Sequence, residues 1–198
     1  MTNRERMLLG LSGGQPDRIA WAPNFDWWLS INTGTGTLPE ELKGLSRNDI
    51  VRKVGAAIWA RAGVIGSKLS PEVKITSHTE GDKTYTVYET PVGVVSTMHQ
   101  MANEFTKAVF LKEHMVKRVE DLKVLRFIVE NTSYYPAYES FIKAEKDVGD
   151  DGIALFQGAP SVPMIQLMKT YTGWLAGLYM LYDYPEEMEE MADVITRN

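Results

Sequence analysis

Residues 46–69, Ser-Arg-Asn-Asp-Ile-Val-Arg-Lys-Val-Gly-Ala-Ala-Ile-Trp-Ala-Arg-Ala-Gly-Val-Ile-Gly-Ser-Lys-Leu, decide the fold class that the sequence predicts. Ser46 is a good N-cap, because its hydroxyl accepts a hydrogen bond from a free N–H of the first turn. Apolar residues at helical spacing then predict a helix from Ser46 to Arg61, which Gly63 ends. The apolar run Val64–Leu69 predicts a short strand that is buried on both faces. The apolar helix positions are Ile50, Val51, Val54, Ala57 and Ile58.

Two further apolar runs predict strands on either side of this stretch. Arg18–Phe25 predicts a first strand, so that strand, helix and strand form a βαβ unit, and Gly152–Gly158 predicts a third. Between the first strand and the helix, residues 24–38 mix aromatics with Asn, Gly and Thr and predict a long loop. The remaining predicted helices are Thr2–Leu11 with a capping box, Val119–Asn131, Ala137–Val148 after a turn at Tyr135-Pro136, Pro163 to about Tyr182, and one from Pro185.

A stretch of different texture separates the second and third predicted strands. Residues 73–79 and 83–89 alternate between apolar and polar side chains around the turn Glu80-Gly81-Asp82, and residues 92–100 predict another strand. We therefore expect a hairpin or small antiparallel sheet, inserted at about residues 71–100.

Three parallel strands with intervening helices cannot close a parallel β/α barrel, which needs eight strand–helix pairs. We therefore expect residues 1–198 to form one α/β domain that is the beginning of such a barrel. Exposed barrel edges predict edge-to-edge pairing, a homo-oligomer or another partner.

Composition excludes several classes of protein. The net charge of −5 gives no basic patch for nucleic acid or an anionic membrane surface. The sequence contains no cysteine, so a disulfide framework and a thiolate metal site are excluded within this chain. The charged N-terminus does not fit a secretory signal, and no apolar run reaches the length of a membrane span. The sequence predicts a cytoplasmic protein.

Six short motifs, in order along the chain, resemble the uroporphyrinogen decarboxylase superfamily. Each motif alone is weakly specific, but the six occur in the family's order and together span nearly the whole chain. They are Arg4-Glu5-Arg6-Met7-Leu8 with Gly14-Gln15-Pro16-Asp17-Arg18-Ile19, Glu89-Thr90-Pro91-Val92-Gly93, Val119-Glu120-Asp121-Leu122, Gly158-Ala159-Pro160, and Leu181-Tyr182-Asp183-Tyr184-Pro185-Glu186.

The resemblance implies the N-terminal portion of a TIM-type (β/α)8 barrel and two kinds of chemistry. True uroporphyrinogen decarboxylases release carbon dioxide from a porphyrinogen without a cofactor. The other branch moves methyl groups between a small methylated molecule, a corrinoid protein and an acceptor, often with zinc. No cofactor is expected on this chain itself. The resemblance implies a corrinoid on a partner protein and, through residues beyond Asn198, zinc.

Two departures from the decarboxylase pattern favour the methyltransferase branch. The decarboxylases carry an arginine-rich segment after the first strand, where this sequence has Pro23-Asn24-Phe25-Asp26-Trp27-Trp28. They carry an aspartate after the second strand, where this sequence has Lys68 and Ser70. These residues predict an aromatic, amide-rich pocket for a small neutral or aromatic substrate. Uroporphyrinogen decarboxylation and an inactive fragment of a longer enzyme remain the alternatives.

Chemistry in a barrel lies at the carboxyl ends of the strands, which selects four residues after the first strand. Asp26 is a candidate catalytic base or a helix cap. Asn24 is a candidate substrate ligand, because a buried amide there would need a partner. Trp27 and Trp28 either stack on a substrate or cover a core edge.

The same rule selects residues after the other strands. Lys68 is a candidate catalytic residue that contacts an anionic group, or else extends to solvent. Ser70, Gln157 and Ser161 are candidate substrate ligands. His99 follows an alternating strand and either points into the site or is a structural or surface histidine.

Overall fold

The structure is a computed structural model that describes residues 1–105, 107–157 and 161–198. Within these residues the chain is a mixed α/β protein with eight α-helices and a two-stranded parallel sheet. The helices are α1 (Asn3–Leu11), α2 (Asp26–Thr35), α3 (Arg47–Lys53), α4 (Leu122–Glu130), α5 (Glu139–Val148), α6 (Pro163–Gln166), α7 (Trp174–Asp183) and α8 (Pro185–Arg197). The strands are β1 (Ile58–Gly63), β2 (Ile65–Leu69), β3 (Lys74–Glu80), β4 (Lys83–Thr90), β5 (Gly93–Met101), β6 (Val109–Glu113), β7 (Thr132–Pro136) and β8 (Gly152–Gln157).

The chain divides into two compact units, each with its own buried core. Unit 1 comprises Met1–Gly66, Glu104–Thr106 and Pro136–Ala159, and unit 2 comprises Ser67–Asn103, Lys107–Tyr135 and Pro160–Asn198. In the described ranges, no helix is both long and apolar enough to cross a membrane.

Unit 1 is built on the parallel pair β1 and β8. Their register runs from Ile58 opposite Gly152 to Gly63 opposite Gln157, and α5 packs on both strands. A small core of Val51, Ala56, Ile58 and Val148, with Phe25 and Ala60 packed against it, fixes one face of this sheet.

The segment predicted as a first strand, residues 18–25, forms no strand, so that prediction is wrong. It nevertheless lies beside β1. The backbone N–H of Ala57 donates to the carbonyl of Trp21 at 2.7 Å, and the indole N–H of Trp59 donates to the carbonyl of Pro23 at 3.2 Å. The offset between the partners is the same in both bonds, so the segment and β1 run in the same direction.

Three other predictions in the first third of the chain need correction. Helix α3 starts after its N-cap Ser46, as predicted, but ends at Lys53, and the last four residues of the predicted helix, 58–61, belong to β1. Strand β2 exists, but it is largely exposed and pairs with β7, the segment predicted as a turn. The predicted loop over residues 24–38 contains helix α2.

Unit 2 contains the predicted antiparallel insertion, as a four-stranded sheet in the order β3-β4-β5-β6. The sequence predicted β3, β4 and β5 and missed β6. The predicted long helix from Pro163 is interrupted by a π-helical turn, Leu167–Thr172, and by Gly173, whose φ is 78°. Among the described residues, the core of unit 2 has fifteen buried members: Val73, Val95, Met115, Val116, Leu122, Val124, Leu125, Ile128, Val129, Leu167, Met168, Met180, Met188, Met191 and Val194.

An ion pair between Arg6 and Asp17 connects α1 to the segment that follows it. The capping box of Thr2 and Glu5 starts the helix as predicted. Arg6 is almost fully buried, and its Nε and Nη2 donate to the two carboxylate oxygens of Asp17 at 2.5 and 3.0 Å. These hydrogen bonds lower the pKa of Asp17 from 3.8 to about 2, with a smaller lowering by the guanidinium charge.

We expect this pair to make the stability of the protein acid-sensitive. Because the pKa of Asp17 is lower in the folded state, the stabilisation is complete above pH 3.8 and is lost as the pH falls through about 2. Urea unfolding at pH 5 and at pH 2.5 should show a smaller acid-induced loss in Asp17→Asn than in the wild type. The control is Asp150→Asn, at an exposed carboxylate that forms no ion pair with any residue that the structure describes. Equal losses in the wild type and Asp17→Asn would contradict the prediction.

Candidate functional site

A polar pocket in unit 1 brings together residues from α2, α3 and β1. Its volume is 450 Å³, and Asp26, Arg47, Asn48, Trp59, Ala60 and Arg61 line it. Asp26 is the first residue of α2, directly after the segment that runs beside β1. Arg47 and Asn48 are the first two residues of α3. Trp59 and Arg61 are two residues apart on β1 and therefore share one face of that strand.

The Asp26 carboxylate is held in an ion pair. Arg47 Nε donates to Asp26 Oδ1 at 2.5 Å, while Arg47 Nη1 donates to Asn48 Oδ1 at 3.3 Å. The Arg47 side chain is 28% exposed and that of Asp26 is 54% exposed, so solvent screens part of this attraction. In this arrangement one oxygen of the Asp26 carboxylate, Oδ1, is engaged with the Arg47 guanidinium group.

Asn24 acts as a local cap. Its Oδ1 accepts a hydrogen bond from the backbone N–H of Asp26 at 3.0 Å, at the start of α2. The side chain is exposed, so the expectation of a buried amide that needs a ligand is wrong. Its role in the structure is to fix the backbone that carries Asp26.

Arg61 provides a guanidinium group whose hydrogen-bond donors remain available in the pocket. Its guanidinium carbon lies 4.4 Å from the centroid of the Trp59 ring, within the range of a cation–π contact. Within the described ranges the side chain forms no hydrogen bond or ion pair with protein. Trp59 is itself fixed by the bond from its indole N–H to the Pro23 carbonyl. The pocket thus contains two guanidinium groups and one carboxylate, which gives a net charge of +1.

A second cavity of unit 1 is apolar. A cavity of 490 Å³ lies between α1, the Pro16–Ala22 segment and the sheet residues Trp59, Ile153 and Leu155. Arg6 is the only ionisable side chain among the residues that line this cavity, and it is engaged with Asp17. This cavity offers shape and apolar surface, whereas charged side chains line the polar pocket.

Trp27 and Trp28 belong to the first turn of α2, and neither lines the polar pocket. Both are exposed. The Trp28 ring meets Phe25 edge-on at a centroid distance of 6.0 Å. Phe25 packs against the small core of unit 1, so Trp28 covers the edge of that core. Binding of substrate by these two tryptophans stays a prediction.

None of the other predicted site residues is among the described residues that line this pocket. Lys68, Ser70, His99 and Ser161 belong to unit 2, whereas Asp26 belongs to unit 1. Lys68 and Ser161 are exposed, and His99 is half-buried next to a bulge in β5. The Ser70 hydroxyl accepts from the backbone N–H of Glu72 at 3.3 Å in a local turn. Gln157 ends β8 opposite Gly63, and its side chain lies outside the described part of the structure. The roles predicted for these five residues stay predictions.

Sequence reasoning missed five residues of the pocket: Arg47, Asn48, Trp59, Ala60 and Arg61. The signal for two of them was present in Ile-Trp-Ala-Arg-Ala-Gly, residues 58–63. Alternation in this run places Trp59 and Arg61 on one face and small apolar residues on the other, as in a strand. The helical spacing that continues into this run from residue 50 concealed that alternation.

Within residues 1–105, 107–157 and 161–198, no group of three or more His, Asp or Glu side chains is placed to hold a metal ion. No model of a known protein family, no curated protein and no solved structure matches the chain.

Proposed function

We propose that this chain belongs to the methyltransferase side of the uroporphyrinogen decarboxylase superfamily. The reaction would be methyl transfer between a small methylated substrate and a corrinoid protein. The observation that carries the proposal is the polar pocket of Asp26, Arg47, Asn48, Trp59 and Arg61, next to the parallel strand β1. In a parallel barrel, the active site lies at the carboxyl ends of such strands.

The strand arrangement of unit 1 supports the barrel part of this proposal. Residues 18–25 run beside β1 in the same direction, and β1 pairs in parallel with β8. Consecutive strands of a parallel barrel are neighbours in this same order. Asp26 follows the first of these segments, and Arg47 opens the helix that returns to β1, so both lie at the carboxyl end of the sheet.

In the proposed reaction, residues of this chain bind and orient the methylated substrate. The Asp26–Arg47 ion pair holds one guanidinium at the pocket wall, and Asn48 adds an amide beside it. Arg61 supplies unengaged N–H donors next to the Trp59 ring. The corrinoid, carried by the partner protein, supplies the cobalt that accepts or donates the methyl group.

Uroporphyrinogen decarboxylation is the second candidate. The two arginines that line the pocket support it, whereas the sequence motifs argue against it. The sequence predicted a pocket without arginine, whereas Arg47 and Arg61 both line it. A porphyrinogen carries many carboxylates, and guanidinium groups are suited to bind them. Only Arg61 is uncompensated, however, because Asp26 neutralises Arg47. A net charge of +1 fits one anionic group, which keeps methyl transfer as the leading proposal.

The test is a methyl-transfer assay with purified corrinoid protein and a panel of methoxylated and methylated-amine donors. We expect the spectral change of cobalt methylation, and we expect Arg47→Ala to lower kcat/KM about 10- to 100-fold, since hydrogen bonds to charged groups contribute about 1.5–3 kcal/mol. Arg18→Gln, at an exposed arginine of unit 1 outside the pocket, is the matched control.

A second assay measures conversion of uroporphyrinogen to less carboxylated products. Conversion there, without methyl transfer in the first assay, would establish the decarboxylase instead. No turnover in either assay would contradict both enzymatic proposals and would support the reading of this chain as an inactive fragment.

A further inference from the structure

We infer that Arg61, held against Trp59, is the binding site for the carboxylate of a small monoanionic ligand. The inference rests on the proposed function only in identifying that ligand as the methylated substrate. The binding site itself is argued from the pocket and is tested by binding alone.

The N–H donors of Arg61 are suited to bind a carboxylate. A guanidinium carries five N–H groups in a rigid planar fork that matches a carboxylate. Of the pocket's two guanidiniums, that of Arg47 is engaged with Asp26 and Asn48. The guanidinium of Arg61 donates to no protein acceptor in the described ranges, so its fork is open to a ligand.

The Arg61 side chain is positioned by its contact with the Trp59 ring. The Arg61 guanidinium carbon lies 4.4 Å from the centroid of the Trp59 ring, and the Trp59 indole N–H is bonded to the Pro23 carbonyl. The tryptophan therefore limits the positions of an otherwise long and flexible side chain. A guanidinium that is already positioned loses less conformational entropy when it binds a ligand.

The charge and the volume of the pocket fit a small monoanion. Asp26 neutralises Arg47, so the excess charge of the pocket is that of Arg61 alone. One carboxylate balances it, whereas a dianion would leave a negative charge without a partner. The volume of 450 Å³ lies in the range of small-molecule sites. An amide from Asn48 and an aromatic ring from Trp59 complete a wall suited to a compact organic acid.

The experiment is calorimetric titration of the full 198-residue chain with benzoate, with benzamide as its neutral counterpart and with inorganic phosphate. We expect benzoate to bind with a Kd of about 1 mM or lower, and benzamide and phosphate to bind at least tenfold more weakly. Equal affinity for benzoate and benzamide would overturn the inference, and so would tighter binding of phosphate than of benzoate.

Two variants of the same residue separate the planar fork from simple charge. We expect both Arg61→Gln and Arg61→Lys to weaken benzoate binding at least tenfold, because a lysine keeps the charge and loses the bidentate geometry. Arg18→Gln should bind benzoate as the wild type does, and circular dichroism melting curves should show that all three variants are folded. Unchanged affinity in Arg61→Gln would overturn the inference.

The outcomes distinguish this inference from the proposed function. Benzoate binding that depends on Arg61, in a protein that transfers no methyl group, would keep the inference and remove the proposed function. Methyl transfer without measurable benzoate binding would keep the proposed function and overturn the inference.

Discussion

Replacement of Gly152 by alanine should disrupt the parallel sheet of unit 1 and lower the free energy of unfolding by at least about 3 kcal/mol. A Cβ at this position would lie 1.7 Å from the carbonyl oxygen of Ile58 and within 3 Å of two other Ile58 backbone atoms. Backbone atoms cannot rotate away as the end of a side chain can, so β1 and β8 would have to separate where their ladder begins.

Gly63→Ala is the matched control for this substitution. Gly63 lies at the opposite end of the same ladder, and a Cβ there would have no atom within 4 Å. We expect a change within about 0.5 kcal/mol, as for most surface substitutions. Urea unfolding gives both values, and amide hydrogen exchange should show lost protection in β1 and β8 only for Gly152→Ala. A Gly152→Ala variant as stable as the wild type would contradict the close approach of the two strands.

The second large effect is expected in unit 2, where Leu125→Ala should cost about 2–4 kcal/mol. Leu125 is fully buried in the core between α4 and its neighbours. Truncation removes buried apolar area and leaves a cavity, which together cost about 2–5 kcal/mol for leucine. The upper part of that range is not expected, because the flexible methionines of this core can move partly into the space.

Urea unfolding monitored by circular dichroism measures this loss. Leu178→Ala removes the same side chain from an exposed site on α7 and should change stability by less than about 0.5 kcal/mol. Similar losses in the two variants would contradict the assignment of Leu125 to the core.

Local signals in the sequence predicted several elements correctly. The capping box of Thr2 and Glu5 and the N-cap Ser46 start α1 and α3 as predicted. The alternating runs around Gly81 form β3 and β4, with the turn where the sequence placed it. Each of these features depends on residues close together in the chain, where propensity and hydrogen bonding act without help from distant segments.

Predictions that depended on distant partners failed. Residues 56–61 match helical spacing with the residues before them, but Gly55, with φ of 74°, ends the helix turn. The run then becomes β1, because it pairs with β8, about 90 residues later in the sequence. Helix α2 was missed for a related reason. Its N-cap, Phe25, makes no capping bond, and Gly and Thr within the helix favour a loop when judged locally.

The candidate site was only partly predicted, because its residues come from segments that are far apart in the sequence. Asp26 was selected because it follows an apolar run, and it does line the pocket. Its partner Arg47 lies 21 residues away, and the position of Arg61 depends on the strand that the sequence assigned to a helix. Lys68, near the end of the second predicted strand, was selected, whereas residues on β1, which the sequence assigned to a helix, were not.

The core of unit 2 makes this protein's response to oxidants dependent on its unfolding. Five of the fifteen buried core residues are methionines, and the chain has no cysteine to react first. Conversion of a thioether to a sulfoxide needs access to peroxide and turns an apolar side chain into a polar one. While unit 2 is folded, burial protects Met188 and Met191, which are 0% and 3% exposed. Each unfolding of this unit exposes the two methionines to peroxide, and a sulfoxide formed then would hinder refolding. The extent of methionine oxidation would therefore increase with the frequency at which unit 2 unfolds.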